Sequence, residues 1–171
     1  MGSRRRFLVS GSAAVAAIAA VSSGWRALAA GPANAGNPAE TFEVVRSDAQ
    51  WRQMLTSAQY NVLRQEGTER PYSSPLNDEH RAGLFACAGC QLDLFSSRTK
   101  FDSRTGWPSF WAPLENAVHT HEDRSFGISR TEVHCRRCGG HLGHVFNDGP
   151  KPTGLRYCMN GVAMTFKPQA A

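Results

Sequence analysis

Gly140-His141-Leu142-Gly143-His144-Val145-Phe146, followed closely by Gly154-Leu155-Arg156-Tyr157-Cys158-Met159-Asn160, is the stretch around which the rest of the chain can be read. Both pieces are short and bounded by turn residues, which marks brief strands rather than helices. They also concentrate chemistry: two histidines, an arginine, an asparagine and a cysteine. Working outward, Val162-Ala163-Met164-Thr165-Phe166 has the same strand character. Upstream, Phe126-Gly127-Ile128-Ser129 and Thr131-Glu132-Val133-His134-Cys135 read as strands at the Cys135-x-x-Cys138 turn. Leu84-Phe85-Ala86-Cys87 and Leu92-Asp93-Leu94-Phe95 flank Cys87-x-x-Cys90 in the same way. Ser47-Asp48 and Thr56-Ser57 each offer an N-cap for a short helix, the first running through Trp51 and Leu55. The second turns Tyr60, Val62 and Leu63 inward, and Gly67 stops it. Arg70 to Leu76 reads as loop. The predicted fold is mainly antiparallel β with small helices packed at the front, since helices this short need tertiary support.

The cysteines sort into two classes. Cys87/Cys90 and Cys135/Cys138 form two Cys-x-x-Cys pairs, and Cys158 is left over. Two close pairs far apart in sequence suit a tetrahedral thiolate zinc site that takes four ligands. Two short-loop disulfides or a redox-active pair are the competing readings, but neither pair has the strand-to-helix setting of a redox Cys-x-x-Cys. Four thiolates leave no open position, so the metal would be structural. Cys158 then lacks a structural purpose and reads as a nucleophile.

Arg156 and Asn160 lie two residues to either side of Cys158, so on a strand all three side chains share one face. A guanidinium nearby favours the thiolate, and an amide can hold a substrate oxygen or a water. The bland alternative is a surface strand polar on one side. His141 and His144 stand in a glycine-rich segment that lets backbone approach closely, and either could donate a proton near neutral pH; a core role would explain them equally. His80, His119, His121 and His134 read as exposed or satisfied. His119-x-His121 resembles a metal pair, with no further ligand near it in sequence. Phe101 to Trp111, which includes Trp107, is dense in aromatics and reads as an apolar wall or a core loop.

The N-terminus is of another kind. Arg4-Arg5-Arg6-Phe7-Leu8 leads into an alanine-rich apolar run and small residues at Ala27, Ala29 and Ala30. This is the layout of an export signal, and the arginine pair before Phe-Leu resembles a twin-arginine (Tat) signal. The expected layout is a signal peptide over 1–30, a Gly/Pro/Asn-rich linker over 31–45 and one domain over 46–168. The apolar run is too short to span a membrane comfortably, so no stable insertion is expected after cleavage. The Tat machinery would carry the folded protein to the periplasm or otherwise outside the cytoplasm, its thiolates already capped by metal. Net charge is +5, from 19 basic against 14 acidic residues. Arg4, Arg5, Arg6 and Arg26 lie in the first 30 residues, which hold no acid, and without them the balance is 15 against 14. A nearly neutral domain argues against nucleic acid as partner.

Phe101 to Phe110, Arg130-Thr131-Glu132-Val133 with Cys135-Arg136-Arg137-Cys138-Gly139, His141 to Phe146 and Gly154 to Asn160 resemble the B-type peptide methionine sulfoxide reductases, the MsrB family. The likeness runs from about Asp48 to Phe166. It implies two antiparallel sheets with small helices and one structural Zn2+ held by Cys87, Cys90, Cys135 and Cys138. It implies reduction of the R epimer of methionine sulfoxide in oxidised proteins or peptides. By position Cys158 matches the nucleophile, Trp107 the ring that packs on the substrate methyl, His141, His144 and Asn160 the groups around the sulfoxide oxygen, and Arg156 the residue that favours the thiolate. In one respect the chain departs: many members carry a resolving cysteine where this one has Thr105. It therefore looks like a one-cysteine member, whose sulfenic acid an outside thiol such as a thioredoxin-like protein must reduce. A zinc module that binds other molecules without catalysis would leave Cys158 unexplained. A disulfide oxidoreductase would show no metal and two disulfides.

Overall fold

Two capping boxes begin the domain. In the computed structural model, which describes residues 41–170, Ser47 and Gln50 exchange hydrogen bonds between side chain and backbone, and α1 runs over Asp48–Met54. Thr56 and Gln59 do the same at the start of α2, Ser57–Gln65. Each box satisfies two of the N–H groups that a helix start leaves open. Trp51 of α1 and Tyr60, Val62 and Leu63 of α2 are buried, as the spacing predicts. Glu66, with φ 56°, supplies the left-handed residue that closes α2, one position before the expected stop at Gly67. The following loop contains a 3-10 turn at Pro75–Asp78.

Among the described residues nine strands follow: β1 Gly83–Cys87, β2 Asp93–Ser96, β3 Lys100–Phe101, β4 Ser109–Phe110, β5 Val118–Asp123, β6 Arg130–Cys135, β7 His141–Phe146, β8 Arg156–Met159 and β9 Met164–Pro168. They form two antiparallel sheets, one in the order β2-β1-β9 and one in the order β3-β4-β8-β7-β6-β5. Mainly β architecture with two sheets and two short helices is thus what the sequence predicts. The sheets meet through aromatic rings: Phe95 stacks on Phe110 at 4.4 Å, and Phe85 meets Phe110 edge-on at 5.0 Å. All three rings are fully buried, and truncating one such ring to alanine typically costs about 3–5 kcal/mol.

One expectation needs correction. Phe126 to Ser129 is not a strand: Ser125–Gly127 is a 3-10 turn and Ile128 is exposed. The second cysteine turn is flanked by β6 before it and β7 after it, because the residues after Cys138 carry the ladder bonds. Residues 42–45, expected at the end of a linker, lie against that turn. Val44 N–H donates to the Arg137 carbonyl at 2.9 Å, and Glu43 pairs with Arg136 at 2.6 Å. The expected signal peptide and residues 31–40 of the linker lie outside the described residues. Among the described residues no helix is long and apolar enough to cross a membrane.

Candidate active site and metal centre

The two Cys-x-x-Cys turns stand on different sheets, Cys87 closing β1 and Cys135 closing β6, and packing of the sheets brings them together. Sγ of Cys87 lies 3.7 Å from Sγ of Cys138, and Sγ of Cys90 lies 3.5 Å from Sγ of Cys135. All four sulfurs fall within 4.8 Å of one another. No disulfide joins them. A tetrahedral ion with metal–sulfur bonds of about 2.3 Å sets its ligands about 3.8 Å apart, so these four thiols fit one. Three of them are buried, which suits a structural ion closed to solvent.

Cys158 stands apart on β8, in a row built by strand register. Its direct neighbours are Ser109 on β4 and His144 on β7. His144 is paired in turn with Glu132 on β6, and Glu132 with His121 on β5. Register partners project to the same side of a sheet, so a polar row crosses five strands with Cys158 near one end. Strict alternation would put His141 and His144 on opposite faces. Instead Val133 pairs with Gly143 and His134 with His141, so Leu142 is an extra residue on β7. This bulge returns His141 to the face of His144, and their rings meet edge-on at 5.4 Å. Gly143 is required there, since a Cβ on it would lie 2.1 Å from the Cys158 carbonyl oxygen.

A cavity of about 150 Å³ opens over Cys158, lined by Trp107, His144, Asn160, Phe146, Arg130, Gly143 and Thr68. The Trp107 indole N–H donates to the Glu69 carbonyl at 3.2 Å, which sets the ring's angle. Glu69 is the organising residue that the sequence reading missed. Its carboxylate accepts from the backbone N–H groups of Gly161 and Val162 at 2.7 and 2.8 Å, and its own N–H donates to Asn160 Oδ1 at 2.9 Å. Burial pushes the Glu69 carboxyl above its ordinary range, against those two N–H groups. Asn160 Nδ2 also donates to the Leu142 carbonyl at 3.0 Å, which leaves one N–H of the amide for a ligand.

The histidines are held by carboxylates. His144 Nε2 donates to Asp123 at 2.9 Å, and Arg130 holds the same carboxylate at 2.6 Å. Burial lowers the His144 pKa, and Asp123 opposes that. His141 Nδ1 lies 2.6 Å from Glu132 Oε1, and both side chains are buried. His141 Nε2 is buried with no hydrogen-bond partner among the described residues. Glu132 is drawn below the ordinary carboxylate range because its bonds and charges from His141, His121 and His134 outweigh its burial.

Cys158 differs from expectation in one respect. Burial pushes its thiol above the ordinary value; Thr105, Arg156 and Ser109 pull it down without overcoming that. Arg156 acts in the predicted direction but is shared, with its guanidinium bidentate on Asp148 at 2.8 and 2.9 Å and stacked 4.4 Å from the Phe146 ring. The Thr105 hydroxyl faces the thiol, with Oγ1 3.9 Å from the Cys158 sulfur. It is held through Ser103, which bonds Thr105 at 2.8 Å and Ser109 at 2.7 Å.

The SelR domain family matches residues 55–168. The chain is 54% identical over 127 residues to the peptide methionine sulfoxide reductase MsrB of Agrobacterium fabrum, covering 74% of this chain and 94% of that protein. It is 54% identical over 130 residues to the MsrB of Leifsonia xyli, covering 75% and 94%. The MsrB of Leptospira interrogans is 50% identical over 127 residues, covering 74% and 97%. The chain belongs to the MsrB family. MsrB enzymes are methionine sulfoxide reductases, and the four-cysteine group is compatible with the metal site of that family.

Of the residues expected at the site, Cys158, Trp107, His144 and Asn160 line one cavity, with the His141 ring against that of His144. Arg156 stands at its edge beside Phe146. Asp123, Glu132, Glu69 and Ser109 were not singled out from the sequence, because a lone carboxylate or hydroxyl carries no signal until pairing places it. His121, expected to be exposed or satisfied, lies with Nε2 2.6 Å from Glu132 Oε2, and His134 is buried beside them.

Proposed function

We propose that this chain reduces the R epimer of methionine sulfoxide in oxidised proteins and peptides, with Cys158 as nucleophile. One observation carries the reading: Cys158 opens into the Trp107, His144 and Asn160 cavity while the other four cysteines gather among themselves. The Trp107 ring takes the substrate's methyl group, and the free amide N–H of Asn160 and the histidines receive the sulfoxide oxygen. As the thiolate attacks sulfur, negative charge builds on that oxygen and a proton from the histidine pair neutralises it. The oxygen ends on sulfur as a Cys158 sulfenic acid, and methionine leaves. Two outside thiols then return the sulfenic acid to thiol, yielding a disulfide and water. Thr105 cannot form a disulfide, which supports direct reduction by a thioredoxin-like partner.

Zn2+ is the ion proposed for Cys87, Cys90, Cys135 and Cys138, and its binding energy is folding energy there. Arg4-Arg5-Arg6-Phe7-Leu8 supports export by the Tat route to the periplasm, with the ion loaded before translocation. The test of the reaction is incubation with separated R and S epimers of a methionine sulfoxide peptide and a dithiol. Methionine should form from the R epimer alone. Equal rates from both epimers would overturn the epimer assignment, and no methionine from either would overturn the function.

A further inference from the structure

The outer end of the polar row holds a group of side chains beyond the cavity over Cys158. His121 Nε2 and Glu132 Oε2 lie 2.6 Å apart across the β5–β6 pair. His134 follows two residues after Glu132 on the same strand, and its ring centroid lies 5.4 Å from that of His121. One ligand atom from each of the three falls within 4.8 Å of the others. Glu132 and His134 are buried beneath, and the His121 side chain is 44% exposed. Two strands in register create the group: the sequence separates His121 from Glu132 and His134, and pairing closes the gap.

We propose that His121, Glu132 and His134 form a second, exchangeable metal site, for a transition ion such as Zn2+ or Co2+. Two imidazoles and one carboxylate suit these ions better than Mg2+ or Ca2+, which favour oxygen ligands. Bonds of about 2.0–2.2 Å to nitrogen and oxygen set tetrahedral ligands roughly 3.3–3.6 Å apart. The His121–Glu132 contact must open by less than about 1 Å, and the exposed imidazole can turn to allow it. Three protein ligands leave a position for water, unlike the closed four-cysteine centre.

Glu132 ties this site to catalysis, a link that rests on the proposed role of His141. One oxygen of the carboxylate faces His121 and the other holds His141 Nδ1 at 2.6 Å. A divalent ion on the first oxygen draws negative charge away from the second, and so weakens the hold on the histidine beside the sulfoxide. Occupancy of the outer site therefore slows the reductase.

The experiment uses the full chain with its four-cysteine centre already filled with Zn2+, and Co2+ as probe. Equilibrium dialysis should find one further ion per chain, with cobalt visible absorption that lacks a thiolate charge-transfer band. Reductase kcat should fall several-fold in saturating Co2+ and return when a mild chelator removes it. His121→Ala should lose the additional ion, and its activity should no longer respond to Co2+. No additional ion in the parent protein, a thiolate band on the bound cobalt, or equal binding by His121→Ala would overturn the site. Binding with unchanged kcat would overturn the link to His141. Failure of the proposed function would show instead as no reductase activity before cobalt is added, and the dialysis would still decide the site.

Discussion

Thr105→Val removes one hydroxyl at nearly constant shape and should isolate what that hydroxyl does for Cys158. The thiol is pushed up by burial, and Thr105 is the largest influence pulling it back. At 3.9 Å the oxygen–sulfur contact is long, which brings a bond to a charged thiolate from the usual ~1.5–3 kcal/mol down to about 1 kcal/mol. Since about 1.4 kcal/mol corresponds to a factor of ten, the loss should lower the thiolate fraction about fivefold below the thiol pKa. The sign follows from the chemistry: the thiolate is the nucleophile, so the rate rises with pH until the thiol is fully ionised. In the variant that rise should begin at higher pH, with a rate about fivefold lower at neutral pH and nearly equal rates once both thiols are ionised. The assay is single-turnover methionine formation against pH without reductant, with the Cys158 thiolate followed by its ultraviolet absorbance. An unchanged pH profile, or a rate deficit of the same size at every pH, would refute the argument. The first would mean that the contact is too weak to matter, and the second that Thr105 positions substrate instead.

Cys158→Ser should abolish turnover with metal content and thermal unfolding unchanged, and appreciable methionine formation would remove Cys158 as the nucleophile. Cys87→Ser should lose the bound ion and solubility together, because Cys87 is fully buried at that centre and metal binding there is folding energy; a soluble, metal-free, active variant would defeat the structural role. Thr105→Cys places a thiol where a hydroxyl lies 3.9 Å from the Cys158 sulfur, so mass spectrometry after one turnover should find a disulfide to Cys158, while the parent should give a trappable sulfenic acid and no such bond. Replacing Arg4 and Arg5 with Lys should leave an uncleaved precursor in the cytoplasm, as read by fractionation; normal export would point to the general secretory route.

Some of this protein is legible from local pattern alone. Ser47 and Thr56 announce their helices because a capping box is completed within four residues. The cysteine pairs point to a metal site because each turn presents two thiols whatever surrounds it. Cys158 is picked out by arithmetic, as the cysteine left when four are committed. What only the tertiary structure decides depends on which strands become neighbours. The Leu142 bulge brings His141 to the face of His144, against the alternation its sequence suggests. Register sets Glu132 between His141 and His121, and Glu69 reaches across to Asn160 and the Trp107 indole from more than 30 positions away in the chain. The balance at Cys158 is decided there too. Arg156 two residues away is visible in the sequence, but the depth of burial that outweighs it is created by β4 and β7 closing on either side. Hydrogen bonding along the chain is a local property that residue order can specify, whereas desolvation and cross-strand contacts belong to the packed whole.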